Sequence, residues 1–391
     1  MKSSARSTNR GASTCWRCCA GWATASRRSF SSRTSSRCAT GSTASFACRT
    51  TRPPVRASSA TTPLPWDRPM RAWLPEARVT GPEPAVERDI EGLNRVFAEA
   101  FTDRYRRDGL IGVRVPQLNP LVWRYALLDA GAGAMVWRDE QGDIAAFNVA
   151  HQAGAEGWMG PLAVRPDRQS TGVGKTIVGT AADWLIDRGV TTLGLETMPR
   201  TPENIGFYAR LGFVPGFLTV TLTNEIATRG HPAPVLLSRR SAEEKEAAMA
   251  SGRRLVNDLV AGIDFSREIM LTAELGLGDT SLIEGDTGLD AMAVWHSAPL
   301  ADSRTRDEVR VLKLAARSDA AFDAAVGAVE AAAAKAGIRR IAIRCQSRYA
   351  DAFRRLIARG YRVRWTDLRM TYEGYPERHA AQGVLFSNWE I

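Results

Sequence analysis

The chain has 391 residues, 44% of them hydrophobic, which is enough for two or three ordinary domains. Its net charge of +10 comes from residues 1–66, which contain eleven Lys and Arg and no Asp or Glu. Because the remainder is almost neutral, we expect neither nucleic acid nor a membrane as a partner. No apolar run approaches the roughly 18 residues of a membrane span, so no spanning helix is predicted.

Residues 1–76 are rich in Arg, Ser and Cys and end in a Pro-rich linker, without helical or strand periodicity. We predict a disordered basic extension there, and we expect a chain that begins near Arg71 to fold without it. A transit peptide, a basic arm for nucleic acid and a misassigned start are the alternatives. The extension holds five of the six cysteines. The sixth, Cys345, fits a reduced cytoplasmic protein that needs no disulfides.

Residues 77–230 are predicted to form the first domain, because helical and strand periodicities alternate there. The first part contains a strand, two helices, a hairpin and another strand: Ala77–Thr80, Val86–Phe101, Pro120–Ala130, Gly133–Arg138 with Ile144–Ala150, and Trp158–Val164. After a glycine loop come a helix, a strand, a short helix and final strands: Gly172–Arg188, Val190–Thr197, Thr201 to Gly212, and Phe213–Glu225. The order Thr-Pro-Glu suits a helix start, and we expect Thr201 to cap it.

Residues 241–391 repeat this order, which predicts a second domain and an internal duplication. The repeated elements are a strand, an alanine-rich helix, a strand and a helix: Val309–Ala316, Asp319–Ala336, Ile338–Cys345 and Tyr349–Arg359. In the first copy, Val164 lies 48 residues before Gly212. In the second, Ala316 lies 44 residues before Gly360. The predicted fold class is therefore α/β (α+β), with two domains that each contain a mixed, mostly antiparallel twisted sheet flanked by helices.

The stretch QSTGVGKT, residues 169–176, looks like half of a phosphate-binding loop. Gln169 stands where the Walker A pattern requires its first glycine. A helix N-terminus that contains Gly172 and Gly174 presents unbonded amides and a positive dipole end to an anion. We therefore predict a phosphate cradle, to which Lys175 adds a positive charge. A P-loop nucleotide hydrolase is one alternative, although no typical Walker B aspartate follows.

A second motif, a helix that contains a tyrosine and ends in Gly-Phe, follows the glycine loop. The helix Tyr208-Ala-Arg-Leu-Gly212-Phe213 closes in Gly-Phe, and Gly212 lies 40 residues after Gly172. Together with Gln169-x-x-Gly-x-Gly174, this helix resembles the GNAT superfamily of acyl-CoA-dependent N-acyltransferases. The resemblance is firm over residues 77–226, whereas residues 241–391 resemble the family only in the order of their elements.

The resemblance implies that the loop amides hold the pyrophosphate of acetyl-CoA, while a strand edge pairs with its pantetheine arm. The cofactor-binding residues that it implies are Leu162, Ala163 and Val164 on the strand, Gln169, Ser170, Thr171, Gly172, Val173, Gly174 and Lys175 in the loop, and Asn204 on the tyrosine helix. The implied reaction is direct attack of an amine on the thioester, without a covalent enzyme intermediate.

The resemblance also implies two catalytic residues. Tyr208 is expected to protonate the leaving thiolate, with a packing role as the alternative. Glu196 is expected to act as the base or to orient the substrate. Glu156, His151 and a chain of waters are alternative bases. The remaining histidines are scattered, so no metal site is predicted.

The predicted function is therefore N-acetyl transfer from acetyl-CoA to a primary amine of a small molecule or a protein. An acyl-CoA-binding or regulatory module without turnover is the alternative. We expect one cofactor per chain, because the second copy has Arg317-Ser-Asp319 in place of the glycine loop. The carboxylate of Asp319 would repel a phosphate.

Overall fold

The structure, a computed structural model, describes residues 79–226, 233–302 and 304–389. The predicted extension and the start of the first predicted strand lie outside these residues. Residues Glu76–Ile391 form one compact unit. The proposed boundaries at 77–230 and 241–391 therefore stay predictions, and the two halves are called the first and second repeat below.

The two repeats share one order of elements: two helices, three strands, a helix, a strand, a helix and a strand. The first repeat contains β1 (Thr80–Pro84), α1 (Ile90–Arg107), α2 (Pro120–Ala130), β2 (Ala134–Arg138), β3 (Ile144–Ala153), β4 (Glu156–Val164), α3 (Val173–Asp187), β5 (Thr192–Thr197), α4 (Pro202–Ala209) and β6 (Phe213–Glu225). The second contains α5 (Ala242–Leu259), α6 (Ser266–Glu274), β7 (Gly278–Gly285), β8 (Gly288–His296), β9 (Glu308–Ala316), α7 (Asp319–Lys335), β10 (Arg340–Gln346), α8 (Ala350–Ala358), β11 (Arg362–Tyr372) and β12 (Val384–Ser387). Only β1 and β12 have no counterpart.

Helix boundaries follow local capping chemistry. The bounds of α2 match the prediction, because the Asn119 side chain accepts a hydrogen bond from the Leu121 amide at 3.0 Å and proline follows it. The prediction for α1 was wrong by four residues at its start. Residues Glu87–Asp89 form a separate 3-10 turn, in which the Asp89 carboxylate accepts a hydrogen bond from the Val86 amide at 3.0 Å.

The strands form one continuous mixed sheet, which confirms the predicted mixed α/β class. Its order is β1-β2-β3-β4-β5-β11-β6-β10-β9-β8-β7, and β12 pairs with β9. The two corresponding strands β6 and β11 are exchanged between the repeats. Strand β11 lies between β5 and β6, and β6 pairs with β10 of the second repeat. Each repeat therefore depends on the other to complete its sheet.

Each repeat contains one pair of parallel strands that part after four residues. Strand β4 pairs with β5 only from Glu156 to Met159, and β9 pairs with β10 only from Arg340 to Ile343 of β10. We call the opening beyond Met159 the first fork and the corresponding opening beyond Val311 of β9 the second fork. The two forks differ in what fills them, and this difference determines where a ligand can enter.

Helices cover both faces of the sheet around the first fork. Leu195 of β5 packs in one hydrophobic cluster with Ile177 and Leu185 of α3. Helices α1 and α2 pack on the other face, in a cluster that contains Phe147 of β3. Because side chains alternate along a strand, Glu196 points to the α1 side.

Candidate functional site

The first fork exposes a strand edge. Residues Leu162, Ala163 and Val164 pair with β3 on one side. On the other side, no strand of the described chain pairs with β4 beyond Met159. Backbone groups of an unpaired edge can hydrogen-bond an extended ligand as if it were another strand. The three residues predicted to meet the pantetheine arm therefore lie on an edge that can accept one.

The glycine loop continues directly from this edge into α3. Within the described residues, the backbone amides of residues 170–174 donate to no acceptor. The amides of Lys175 and Thr176 are already bonded to the Gly172 carbonyl, at 3.0 and 3.2 Å. Gln169 donates from its side chain to the Val164 carbonyl at 3.0 Å, which ties the loop to the strand. The arrangement is a helix N-terminus with unbonded amides, the usual cradle for a phosphate group.

Two glycines shape this cradle for different reasons. Gly172 has φ +96°, a conformation that residues with a Cβ rarely adopt. A Cβ on Gly174 would lie 3.3 Å from the ring of Phe207. Glycine at position 174 thus lets α4 pack closely against the beginning of α3, which brings the tyrosine helix next to the loop.

Tyr208 lies on α4 and is only 7% exposed. Its ring packs against Phe207 and Phe213, with centroids 5.1 and 6.1 Å away, in the cluster that also contains Leu162 and Val164. Burial raises the pKa of Tyr208 well above its usual value. Tyrosine is protonated at neutral pH even without this shift, so the hydroxyl carries the proton that a donor needs.

Asn204, the remaining cofactor-binding prediction, is half-buried one turn before Tyr208 on the same helix. Residues four apart lie on the same helical face. The two side chains are therefore neighbours on the face of α4 from which Tyr208 enters the cluster.

Glu196 follows Leu195 at the first fork, but it is not a free carboxylate. It accepts hydrogen bonds from Thr219 at 2.5 Å, from Arg369 at 2.7 Å and from Arg344. Burial opposes its ionisation, but the positive charges of Arg344 and Arg369 outweigh burial and lower its pKa. A carboxylate held in this way is a weak proton acceptor. The geometry thus argues against Glu196 as the base and fits the alternative, orienting role.

The two alternative bases are also engaged. His151 places Nδ1 2.6 Å from Asp129 and Nε2 3.1 Å from the Gly160 carbonyl, so its Nε2–H donates to that carbonyl. Glu156 accepts hydrogen bonds from Trp158 at 2.6 Å and from Ser387 at 2.8 Å. Both side chains are buried and already hydrogen-bonded, which favours water as the proton acceptor among the predicted alternatives.

Sequence reasoning missed the residues that the second repeat supplies to this site. Arg369 is 1% exposed, and its guanidinium lies 3.8 Å above the Trp158 ring. Arg344 joins Glu196 to Asp367, with 3.1 Å between Arg344 and Asp367. Charged residues inside strands were the available signal: Asp367 and Arg369 at alternate positions of β11, and Arg344 within β10. The exchange of β6 and β11 is what places these residues beside Glu196, and the sequence does not show that exchange.

The prediction that Thr201 caps α4 through its side chain was wrong. Thr201 occupies the cap position, but its hydroxyl donates to Asp108 at the end of α1, at 2.7 Å. The bond ties the start of the tyrosine helix to α1, on the side of the sheet where Glu196 lies.

The second fork is filled by the chain itself. Strand β12 pairs with residues Lys313–Ala316 of β9, on the same edge that β10 covers further along the strand. The second repeat also lacks the cradle. Ser318 caps α7 by accepting from the Ala321 amide at 3.2 Å, and Asp319 pairs with Arg355 at 2.8 Å.

The described residues contain no group of three or more His, Cys, Asp or Glu side chains placed to hold a metal ion. None of their helices combines the length and the apolar character needed to cross a bilayer.

Comparison with known proteins identifies the first repeat. The family model described as "Acetyltransferase (GNAT) family" matches residues 95–213. Residues 95–213 form a GNAT-family domain. The match includes β4, the glycine loop and the tyrosine helix, and it argues against the P-loop hydrolase alternative. No curated protein matches the sequence.

Solved structures resemble both repeats of the chain. A protein from Pyrococcus horikoshii, named as an acetyltransferase, superposes with a TM-score of 0.57 at 12% identity, over 82% of this chain and 97% of its own. N-myristoyltransferase from Saccharomyces cerevisiae superposes with a TM-score of 0.54 at 11% identity, over 80% and 86% of the two chains. At such identities the likeness concerns the fold alone.

Proposed function

We propose that the protein is an N-acetyltransferase that moves the acetyl group of acetyl-CoA to a primary amine. One observation carries the proposal: the unpaired edge of β4 at the first fork leads directly into the amide cradle of α3. Coenzyme A has the two complementary parts, an extended arm with amide groups and a pyrophosphate. Leu162–Val164 would pair with the arm, and residues 170–175 would hold the phosphates.

The chemistry needs three proton transfers. The amine arrives as an ammonium ion and must first lose a proton to water, because the candidate side chains are already hydrogen-bonded. Its nitrogen then attacks the thioester carbonyl, the C–N bond forms and the C–S bond breaks. Tyr208 would give its proton to the departing thiolate, and the second proton that the nitrogen loses as the amide forms would restore the tyrosine through water. Glu196, held by Arg344 and Arg369, would orient the amine at the fork.

Release of free thiol from acetyl-CoA over a panel of amines tests this proposal. We expect turnover with at least one amine and loss of cofactor binding in Gly172→Asp, because the new carboxylate repels phosphate and strains a left-handed backbone position. Gly179→Asp is the matched control, since Gly179 lies on the same helix with open space around it. Cofactor binding without thiol release for any amine would favour the acyl-CoA-binding module instead.

A further inference from the structure

Two aromatic rings from different repeats meet beside the first fork. Tyr105 lies in the last turns of α1, and Trp365 lies on β11. Their centroids are 6.3 Å apart and their planes are nearly perpendicular, at 72°. The guanidinium of Arg200 lies over both rings, 5.4 Å from Tyr105 and 4.9 Å from Trp365. The pair therefore already holds a cation, one that the chain itself supplies.

Arg200 is exposed, and among the described residues it has no carboxylate partner. It follows β5 in the loop before α4. Aromatic contact is therefore what holds its guanidinium, an interaction worth only a few-fold in affinity at an exposed position. Another cation that brings additional contacts could replace it.

A polar path joins the aromatic pair to the fork. The Trp365 indole donates to Asp367 at 3.1 Å, and Asp367 lies 3.1 Å from Arg344. Arg344 in turn contacts Glu196. The carboxylates of Asp367 and Glu196 are about one-fifth exposed, so solvent reaches both.

The strand pairing gives the distance between Glu196 at the fork and Trp365 in the aromatic pair. Glu196 pairs across the sheet with Arg369, and Trp365 lies four residues before Arg369 on β11. At the usual rise of a strand, the two ends of the path are about 13 Å apart. A ligand that reaches from the fork to the rings must therefore be extended.

We propose that Tyr105 and Trp365 form a cation clamp for the acceptor, and that the acceptor is an aliphatic amine carrying a second positive charge. The reacting amine lies at the first fork while the distal cation replaces Arg200 in the clamp. This proposal rests on the proposed acetyltransferase function and specifies its acceptor. Trp365, a residue of the second repeat, would thus help to select the acceptor that the first repeat acetylates.

Calorimetric titration of three amines into the full chain tests the clamp without acetyl-CoA, so the result does not depend on turnover. Octamethylenediamine has two charges at a suitable separation, octylamine has one charge, and trimethylenediamine is too short. We expect octamethylenediamine to bind about tenfold more tightly than the other two, a value between those of an exposed and a desolvated cation over an aromatic ring. Equal affinities for the three amines would overturn the proposal.

Two variants separate the aromatic face from the hydrogen bond to Asp367. Trp365→Leu and Trp365→Phe both lose the indole donor, but only Trp365→Leu loses the ring. Trp365→Phe should keep most of the preference for octamethylenediamine, and Trp365→Leu should lose it. Arg200→Ala should raise affinity for this diamine by roughly threefold, because the competing cation is gone. A diamine preference that survives in Trp365→Leu, or an unchanged affinity in Arg200→Ala, would contradict the clamp.

Discussion

Among single residues, the proposed chemistry depends most on Tyr208. Tyrosine carries its proton at neutral pH, and burial, which raises the pKa of Tyr208, further disfavours the phenolate. The same helix places Asn204 one turn away and Phe207 against the loop glycine. Proton donor and phosphate cradle are therefore positioned by one short contact between two helices.

Tyr208→Phe removes the proton donor and keeps the ring that packs. We expect the turnover number to fall by roughly 10²- to 10⁴-fold, the usual contribution of general acid catalysis. Affinity for acetyl-CoA should stay nearly unchanged, and stability should change by less than about 1.5 kcal/mol. Tyr372→Phe is the control, since Tyr372 packs in the same cluster against Phe213, at 5.2 Å. Turnover at the parental rate in Tyr208→Phe would assign Tyr208 a packing role.

A buried carboxylate in the second repeat gives a prediction for pH dependence. Glu268 and Lys313 are each 1% exposed, and 3.4 Å separates their charged groups. Burial raises the pKa of Glu268 to about 7, and the positive charge of Lys313 only partly opposes this. Between about pH 4 and 7 the folded state therefore binds more protons than the unfolded state, so stability falls as pH rises through that window.

Glu268→Gln should remove this loss of stability. Urea unfolding at pH 5 and pH 8 would measure it, and the parental protein should lose more stability between these values than the variant, by on the order of 2 kcal/mol. Glu274→Gln, on the exposed side of the same helix, should behave like the parental protein. If the parental protein and Glu268→Gln lose stability equally, Glu268 is already ionised at pH 5.

Some residues of the site could be predicted from short sequence motifs, and others could not. Gln169, Gly172 and Tyr208 lie in motifs within one stretch of sequence, so spacing alone could predict them. Arg369 and Trp365 could not be predicted in this way, because they meet the fork only through a strand that begins more than 160 residues after β5. Glu196 was identified, but its engagement by two arginines depends on the same distant strands.

At the scale of elements, the exchange of β6 and β11 makes each repeat incomplete alone. Without β11, the edge of β5 is bare and β6 loses a partner along most of its length. Val220 and Leu222 of β6 pack in the core of the second repeat. Separating the repeats would expose this apolar surface, at about 1.5–3 kcal/mol for each large side chain.

Cutting the chain between residues 227 and 232 tests this dependence. We expect each fragment to be unfolded or aggregated when produced alone, and the two to form a soluble complex when produced together. Circular dichroism and co-purification would measure both outcomes. A first fragment that is monomeric and folded on its own would show that the exchanged strands are dispensable.

Most elements could be predicted because their periodicity is local. The order of strands could not, since an apolar strand pattern specifies its two faces and not its neighbours. Residues 213–225 were correctly predicted to be extended, but nothing in their pattern distinguishes pairing with β5 from pairing with β10. In the second repeat, α5, α6, β7, β8, β11 and β12 were not predicted as individual elements.

At the scale of the whole molecule, two copies of one order of elements make a single sheet with unequal forks. The first fork has an unpaired edge and an amide cradle. In the second, β12 covers the edge of β9, and Asp319 pairs with Arg355 where the first repeat has glycines. The second repeat thus supplies β11 to the sheet of the first repeat and fills its own opening.

We expect acetyl-CoA to bind at the first fork and at no second site. Calorimetric titration of acetyl-CoA into the full chain measures this directly. We expect one equivalent bound per chain, no detectable binding to Gly172→Asp and one equivalent bound to Gly179→Asp. Two equivalents of similar affinity, or one equivalent retained by Gly172→Asp, would contradict the claim.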